Sequence, residues 1–180
     1  MRVTVIALFF VHFSFYSIAQ TVGNTSWKTI DDYKAEEPNI AKNIVWLENN
    51  PIATEQNDTK ALSEYIIKWL TNVPYLKVVL DGVFLESLMN NKKFKYAEKF
   101  KVTYLFGKSI YLIEHQDNPD EAKACTRGVE GMVRVYKELN LLDPSLRNTT
   151  LDKYVRLSQK GKLESYVRDR LSEPGETLSY

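Results

Sequence analysis

The sequence predicts an all-α domain. Apolar residues recur at intervals of three and four from Pro38 to Leu171, and breaks built on proline, asparagine and aspartate cut that run into helix-sized pieces. No stretch alternates apolar and polar residues convincingly enough to read as a strand. The expected architecture is an irregular bundle, or a short array, of about six helices behind a cleaved signal peptide.

The leader comes first. Arg2 supplies one positive charge, Val3 to Ala19 is largely apolar, and Ser17-Ile18-Ala19 is a small-x-small triplet. That pattern describes a signal peptide over residues 1–19, cleaved after Ala19. A membrane anchor is the rival reading. The run is at the short edge of the roughly 17–25 residues that a spanning helix needs, and no basic cluster follows it. The expectation is therefore an exported protein, periplasmic or secreted, with no stable membrane anchor after cleavage.

Residues 20–37 read as a polar arm, with Trp27 and Ile30 its apolar points, and residues 38–172 as the helical domain. Pro38 suits a first helical position, and Ile40, Ala41, Ile44, Val45 and Leu47 follow at helical spacing until Asn49-Asn50-Pro51. Asp58 is placed to cap a second helix, whose face is Leu62, Tyr65, Ile66, Trp69, Leu70 and Val73. Pro74 breaks it and opens a third helix, Tyr75 to Met89, apolar on nearly every side and so expected in the interior.

A fourth helix, Phe94 to His115, carries two apolar stripes. Val102, Phe106, Ile110 and Ile113 mark one, while Phe100, Tyr104 and Gly107 mark the opposite one. Two stripes on one helix require neighbours on both sides, so this helix is expected at the centre. Asn118-Pro119-Asp120-Glu121 then reads as a cap, a first turn and a capping-box acid. The seam Ala122, Cys125, Val129, Met132, Tyr136 and Leu139 follows it. Gly128 and Gly131 inside this helix each cost up to about 1 kcal/mol against Ala. Close approach of another helix would explain them, and Gly82 and Gly107 can be read likewise; flexibility is the alternative. Beyond Asp143-Pro144, Thr149 or Thr150 caps a last helix interrupted at Gly161, and residues 173–180 form a frayed tail. The fourth and fifth helices resemble one tetratricopeptide-like helix pair, but no second copy aligns in register, which favours the irregular bundle over a repeat scaffold.

Composition narrows the function. A net charge of +1 gives nucleic acid no general electrostatic attraction. The charges are uneven, negative before Asn91 and positive after Lys92, which solvated helix faces also explain. Cys125 is the only cysteine, so no internal disulfide can form, and its place on the apolar seam makes it a core residue. Once the leader is removed, His115 is the only histidine. Burial of Cys125 removes a Cys/His dyad, while a Ser-His-Asp arrangement stays open. A zinc cluster, a glycine-rich phosphate loop and an EF-hand loop lack their residues, so no metal and no cofactor are expected.

Two sets of side chains remain as candidates. Lys101, Lys108 and His115 fall nearly on one line of the fourth helix, flanked by Tyr104 and Tyr111. They could meet an anionic ligand over stacked tyrosines, or form a solvated edge with His115 near the helix C-terminus. Asp81 and Glu86 could serve carboxylate chemistry; alternatively Asp81 pairs with Lys77 one turn away and Glu86 points to solvent. Asn24, Asn57 and Asn148 begin Asn-x-Ser/Thr triplets, which matter only in a eukaryotic secretory pathway. The expected function is non-enzymatic binding of a protein partner or a small ligand, with an exported carboxylate-using hydrolase or a helical-repeat, tetratricopeptide-like scaffold as the alternatives.

Overall fold

The computed structural model describes residues 26–51, 57–143 and 146–173. Among them lie seven helices and no strand: α1 (Ile30–Asn49), α2 (Asn57–Asn72), α3 (Gly82–Met89), α4 (Ala97–Glu114), α5 (Glu121–Leu142), α6 (Thr149–Gln159) and α7 (Leu163–Ser172). The seventh arises at Gly161, whose φ of 63° is a left-handed conformation. There the chain turns and begins α7, so the last expected helix is two. The leader, the Asp58 side chain, Pro144 and the tail lie outside what is described. Among the described residues no helix is long and apolar enough to cross a membrane.

The α1 start differs from the sequence reading. Thr29 accepts from the Asp32 N–H while Asp32 accepts from the Thr29 N–H at 2.8 Å, a capping box that opens the helix nine residues before Pro38. Pro38 is thus inside α1, where it forfeits one backbone bond. Trp27 folds back over Tyr33 and Tyr65, with ring centroids 5.6 and 5.5 Å away, as expected of an arm docked onto the body.

The third helix is also corrected. Residues 74–81 are not helical, and α3 occupies only Gly82–Met89. Val79 and Leu80, expected inside, are 50% and 41% exposed. Phe84, Leu85 and Leu88 face inward as expected. The caps of α5 and α6 move as well. Asp120, not Asn118, accepts from the Lys123 N–H at 3.1 Å. Asn148, not a threonine, accepts from Thr150 and Leu151. Each stronger Asx cap lies one to two residues from the position read from the sequence. Asn148 is buried, with its amide oxygen committed to that cap.

The two-stripe reading of α4 holds. Phe106 and Ile110 join Tyr33, Ile40, Ile44, Leu62, Ile66 and Trp69 in a core shared with α1 and α2. On the opposite side, Phe100 and Tyr104 join α3, α5, α6 and α7 around Cys125, Val129, Met132 and Tyr136. The helix is therefore central, with a hydrophobic cluster on each flank.

Closest of all is the α4–α5 crossing, and glycine makes it so. A Cβ at Gly107 would lie 2.7 Å from the Arg127 carbonyl oxygen, and one at Gly128 would lie 2.8 Å from the Tyr104 ring and carbonyl. Gly131 leaves room for Glu48, whose Oε1 would be 2.5 Å from an added Cβ. Gly82 is different: nothing stands within 4 Å of it, so close approach does not explain that glycine.

Candidate functional site

The residues aligned on α4 divide on folding. His115 is exposed at the C-cap, stacked on Tyr111 with centroids 4.1 Å apart, and its Nδ1 is 3.0 Å from the Tyr111 carbonyl. Lys101 pairs with Glu98 on its own helix. Tyr104 and Lys108, by contrast, are buried. No shared ligand-facing line survives, because the α5 crossing covers the middle of it.

Tyr104 and Lys108 instead enter a charge cluster that runs from the buried Lys108 through the half-buried Asp81 to the exposed Glu121. The Lys108 ammonium donates to Asp81 Oδ2 at 2.6 Å, to Glu121 Oε1 at 2.5 Å and to the Val79 carbonyl at 2.9 Å. All three of its N–H groups are thereby used. Asp81 Oδ2 also accepts from the Tyr104 hydroxyl at 2.8 Å and from the Cys125 thiol at 3.2 Å. The local backbone explains the assembly. Val79 lies in the non-helical stretch 74–81, so no helical N–H claims its carbonyl and it accepts from Lys108. The same stretch carries Asp81 away from Lys77, the partner expected of it, to Lys108. Moving the α5 cap to Asp120 likewise frees Glu121 to reach Lys108.

The electrostatics make this cluster unreactive. Burial opposes the charge on Lys108, yet hydrogen bonds to Asp81 and Glu121 outweigh it and hold the pKa above the usual lysine value, so the amine stays protonated. Burial pushes the Cys125 thiol up to about 12, leaving little thiolate at neutral pH. Burial and the neighbouring Cys125 and Asp81 drive the Tyr104 hydroxyl up as well, so it remains a donor. Asp81, Glu121 and Cys125 hold ligand atoms within 4.8 Å of one another, a donor set that could take a cation. Lys108 already sits against two of them, and a metal ion would have to displace its ammonium. Glu86, the other carboxylate considered, is exposed on α3.

A second ionic group joins α1 to α5. Glu48 is 3% exposed, and both its oxygens meet Arg127 in a bidentate pair at 2.8 and 3.0 Å. Arg134 binds Oε2 as well, at 3.0 Å. The sequence held a signal for this, since Glu48 lies four residues beyond Ile44 on the buried face of α1.

Beside Glu48 opens a cleft of about 520 Å³ that sequence reasoning missed. Its walls are the first halves of α2 and α4, and its end is the C-terminal part of α1. Ile44, Leu47, Val102, Phe106 and Val135 supply an apolar floor. The hydroxyls there are turned onto their own helices: Ser63 donates to the Thr59 carbonyl and Thr103 to the Lys99 carbonyl, each at 2.9 Å. Lys60, Glu98 and Lys99 stand among its polar lining residues, with Lys99 bonded to the Pro51 carbonyl at 2.6 Å. No signal in a single helix announces such a cleft, because it exists only between α2 and α4.

Compared with protein-family models, with curated proteins and with solved structures, the chain has no match.

Proposed function

We propose that this chain is an exported, non-enzymatic binding domain that takes up a small, mainly apolar molecule in the cleft between α2 and α4. One observation carries the reading. In a molecule whose helices pack closely enough to require glycine, an open volume of about 520 Å³ remains over an apolar floor. That volume is within the range of small-ligand pockets, and polar side chains from α1, α2 and α4 beside the apolar floor suit orientation of a bound molecule. The non-enzymatic part is supported by the Lys108 cluster, whose nucleophiles are buried and protonated. Export rests on the leader-like sequence of residues 1–19.

The test uses the neutral fluorophore N-phenyl-1-naphthylamine. Saturable binding at one site per chain is expected, lost in Val102→Trp, which fills the cleft from the α4 wall. A far-UV circular dichroism melt of the variant monitors folding. No saturable binding to the native protein, or unchanged binding to a folded Val102→Trp, would refute the proposal.

A further inference from the structure

We infer that the end of the domain where α5 meets the chain entering α4 docks on an anionic lipid bilayer, with Leu141 and Leu142 inserted and basic side chains resting on the headgroups. Of the large apolar residues described, these two are the most exposed, at 77% and 60%. They are consecutive on the last turn of α5, so the helix end holds both in water at once. A lone exposed leucine needs no explanation, but an adjacent pair at a helix end forms a small apolar wedge.

The surrounding charge favours a bilayer as its occupant. Lys95 is 3.9 Å from Asp143, the residue after Leu142, so the segment entering α4 lies against the end of α5. Lys92, Lys93 and Lys95 are exposed on that segment, as are Lys137, one turn before Leu141, and Arg147 beyond the pair. Across residues 90–97 and 137–148 only Glu138 and Asp143 oppose these five basic groups. On the cleft side Lys101 pairs with Glu98 and Lys60 with Glu64, while Lys99 adds a further positive charge. A protein partner would need roughly 800 Å² on this side, and lysine is depleted from such interfaces. A bilayer accepts two leucines as a wedge, and lysine stems lie on its apolar surface with their ammonium groups among the phosphates.

This tip adjoins the cleft. Tyr96 belongs to the cleft lining, and the Lys95 ammonium that meets Asp143 sits 4.9 Å from the Tyr96 ring centroid. Docking therefore brings the cleft close to a bilayer, where mainly apolar molecules are concentrated. That consequence rests on the reading of the cleft as a ligand pocket; the docking itself does not.

The experiment cosediments the full chain with vesicles of phosphatidylcholine alone, or of phosphatidylcholine and phosphatidylglycerol in equal parts. Binding to the anionic vesicles is expected to be about tenfold tighter or more, with the gap closing as salt is added. Lys92→Gln with Lys93→Gln should weaken anionic binding about tenfold. Leu141→Ser with Leu142→Ser should weaken it by about tenfold or more and leave the far-UV circular dichroism melt unchanged, since both side chains are in water. A nitrobenzoxadiazole label on Leu142→Cys reads the tip alone, whatever the apolar N-terminal segment does, and the buried Cys125 leaves the new thiol to react. Its emission should shift to the blue on anionic vesicles, while a label on Lys160→Cys, at the far end of α6, should not respond. No blue shift at Leu142→Cys would overturn the docking. Anionic binding lost in the lysine variant but unchanged in the leucine variant would overturn insertion and mark a site for a soluble polyanion instead. Equal binding to neutral and anionic vesicles would overturn the role of the basic groups. Val102→Trp should dock as the native chain does, so a failure of ligand uptake and a failure of docking are told apart.

Discussion

Alanine at Gly128 and alanine at Gly82 should move stability in opposite directions. In an isolated helix both replacements are favourable, by up to about 1 kcal/mol. At Gly128 the new Cβ would lie 2.8 Å from Cδ2, Cε2 and the carbonyl oxygen of Tyr104. The ring cannot turn aside cheaply, because Tyr104 is fully buried and its hydroxyl is bonded to Asp81 at 2.8 Å. The carbonyl is part of the α4 backbone and cannot move without the helix. Overpacking of this kind costs about 1–3 kcal/mol, and the backbone contact places it in the upper half of that range. Subtracting the propensity gain leaves a net loss of about 1–2 kcal/mol, or a fall in Tm of about 3–8 °C for a domain this size. At Gly82 nothing lies within 4 Å, so Gly82→Ala should be neutral or stabilising by a few tenths of a kcal/mol. Urea denaturation followed by far-UV circular dichroism measures both. A Gly128→Ala variant as stable as the native protein would refute the close α4–α5 crossing, and with it the explanation for that glycine.

Other substitutions probe the charged groups. Lys108→Met should cost about 1–3 kcal/mol in urea denaturation, because it leaves the half-buried Asp81 without its cation while the exposed Glu121 is hydrated. The double variant with Asp81→Asn should recover part of that loss, and a cost below about 1 kcal/mol for the single variant would contradict the cluster. Alkaline pH tests Cys125. Its ordinary value of 9.0 is raised to about 12 on folding, so the stabilisation is complete below pH 9 and is lost as pH rises toward 12. Stability should therefore fall less steeply with pH over that interval in Cys125→Ala than in the native chain, and identical slopes would place the thiol in contact with water. His115→Ala should change stability by no more than about 0.5 kcal/mol, since the ring is exposed and stacks only on Tyr111. A larger loss would mean that the end of α4 is held by this ring.

Residues that follow one periodic face are those whose placement the sequence disclosed. Leu62, Tyr65, Ile66 and Trp69 on α2, and the seam from Ala122 to Leu139 on α5, are buried as their spacing required. The opposed stripes of α4 even foretold its central place between two clusters. Errors gathered where two local signals competed. Pro38 resembled a helix start, but the Thr29–Asp32 box lay upstream and satisfies the orphan N–H groups there. Lys108 resembled one point of a solvated line, since helical phase places a residue on a face without saying what covers it.

Period and composition in the chain itself thus determined the helical class and most of the inward faces, whereas Gly107, Gly128 and Gly131 read as either close packing or flexibility until the docked helices decided for packing. Only the tertiary structure decided that residues 74–81 are not helical, that Lys108 is buried against Asp81 and Glu121, and that a cleft remains between α2 and α4. The division has a physical cause. A helix face is set by neighbours three and four residues away, whereas the Lys108–Asp81 pair spans 27 residues and Glu48–Arg127 spans 79. Such pairs form only when whole helices have docked, and the energy that favours them over a helical Tyr75–Asp81 belongs to no local stretch of chain.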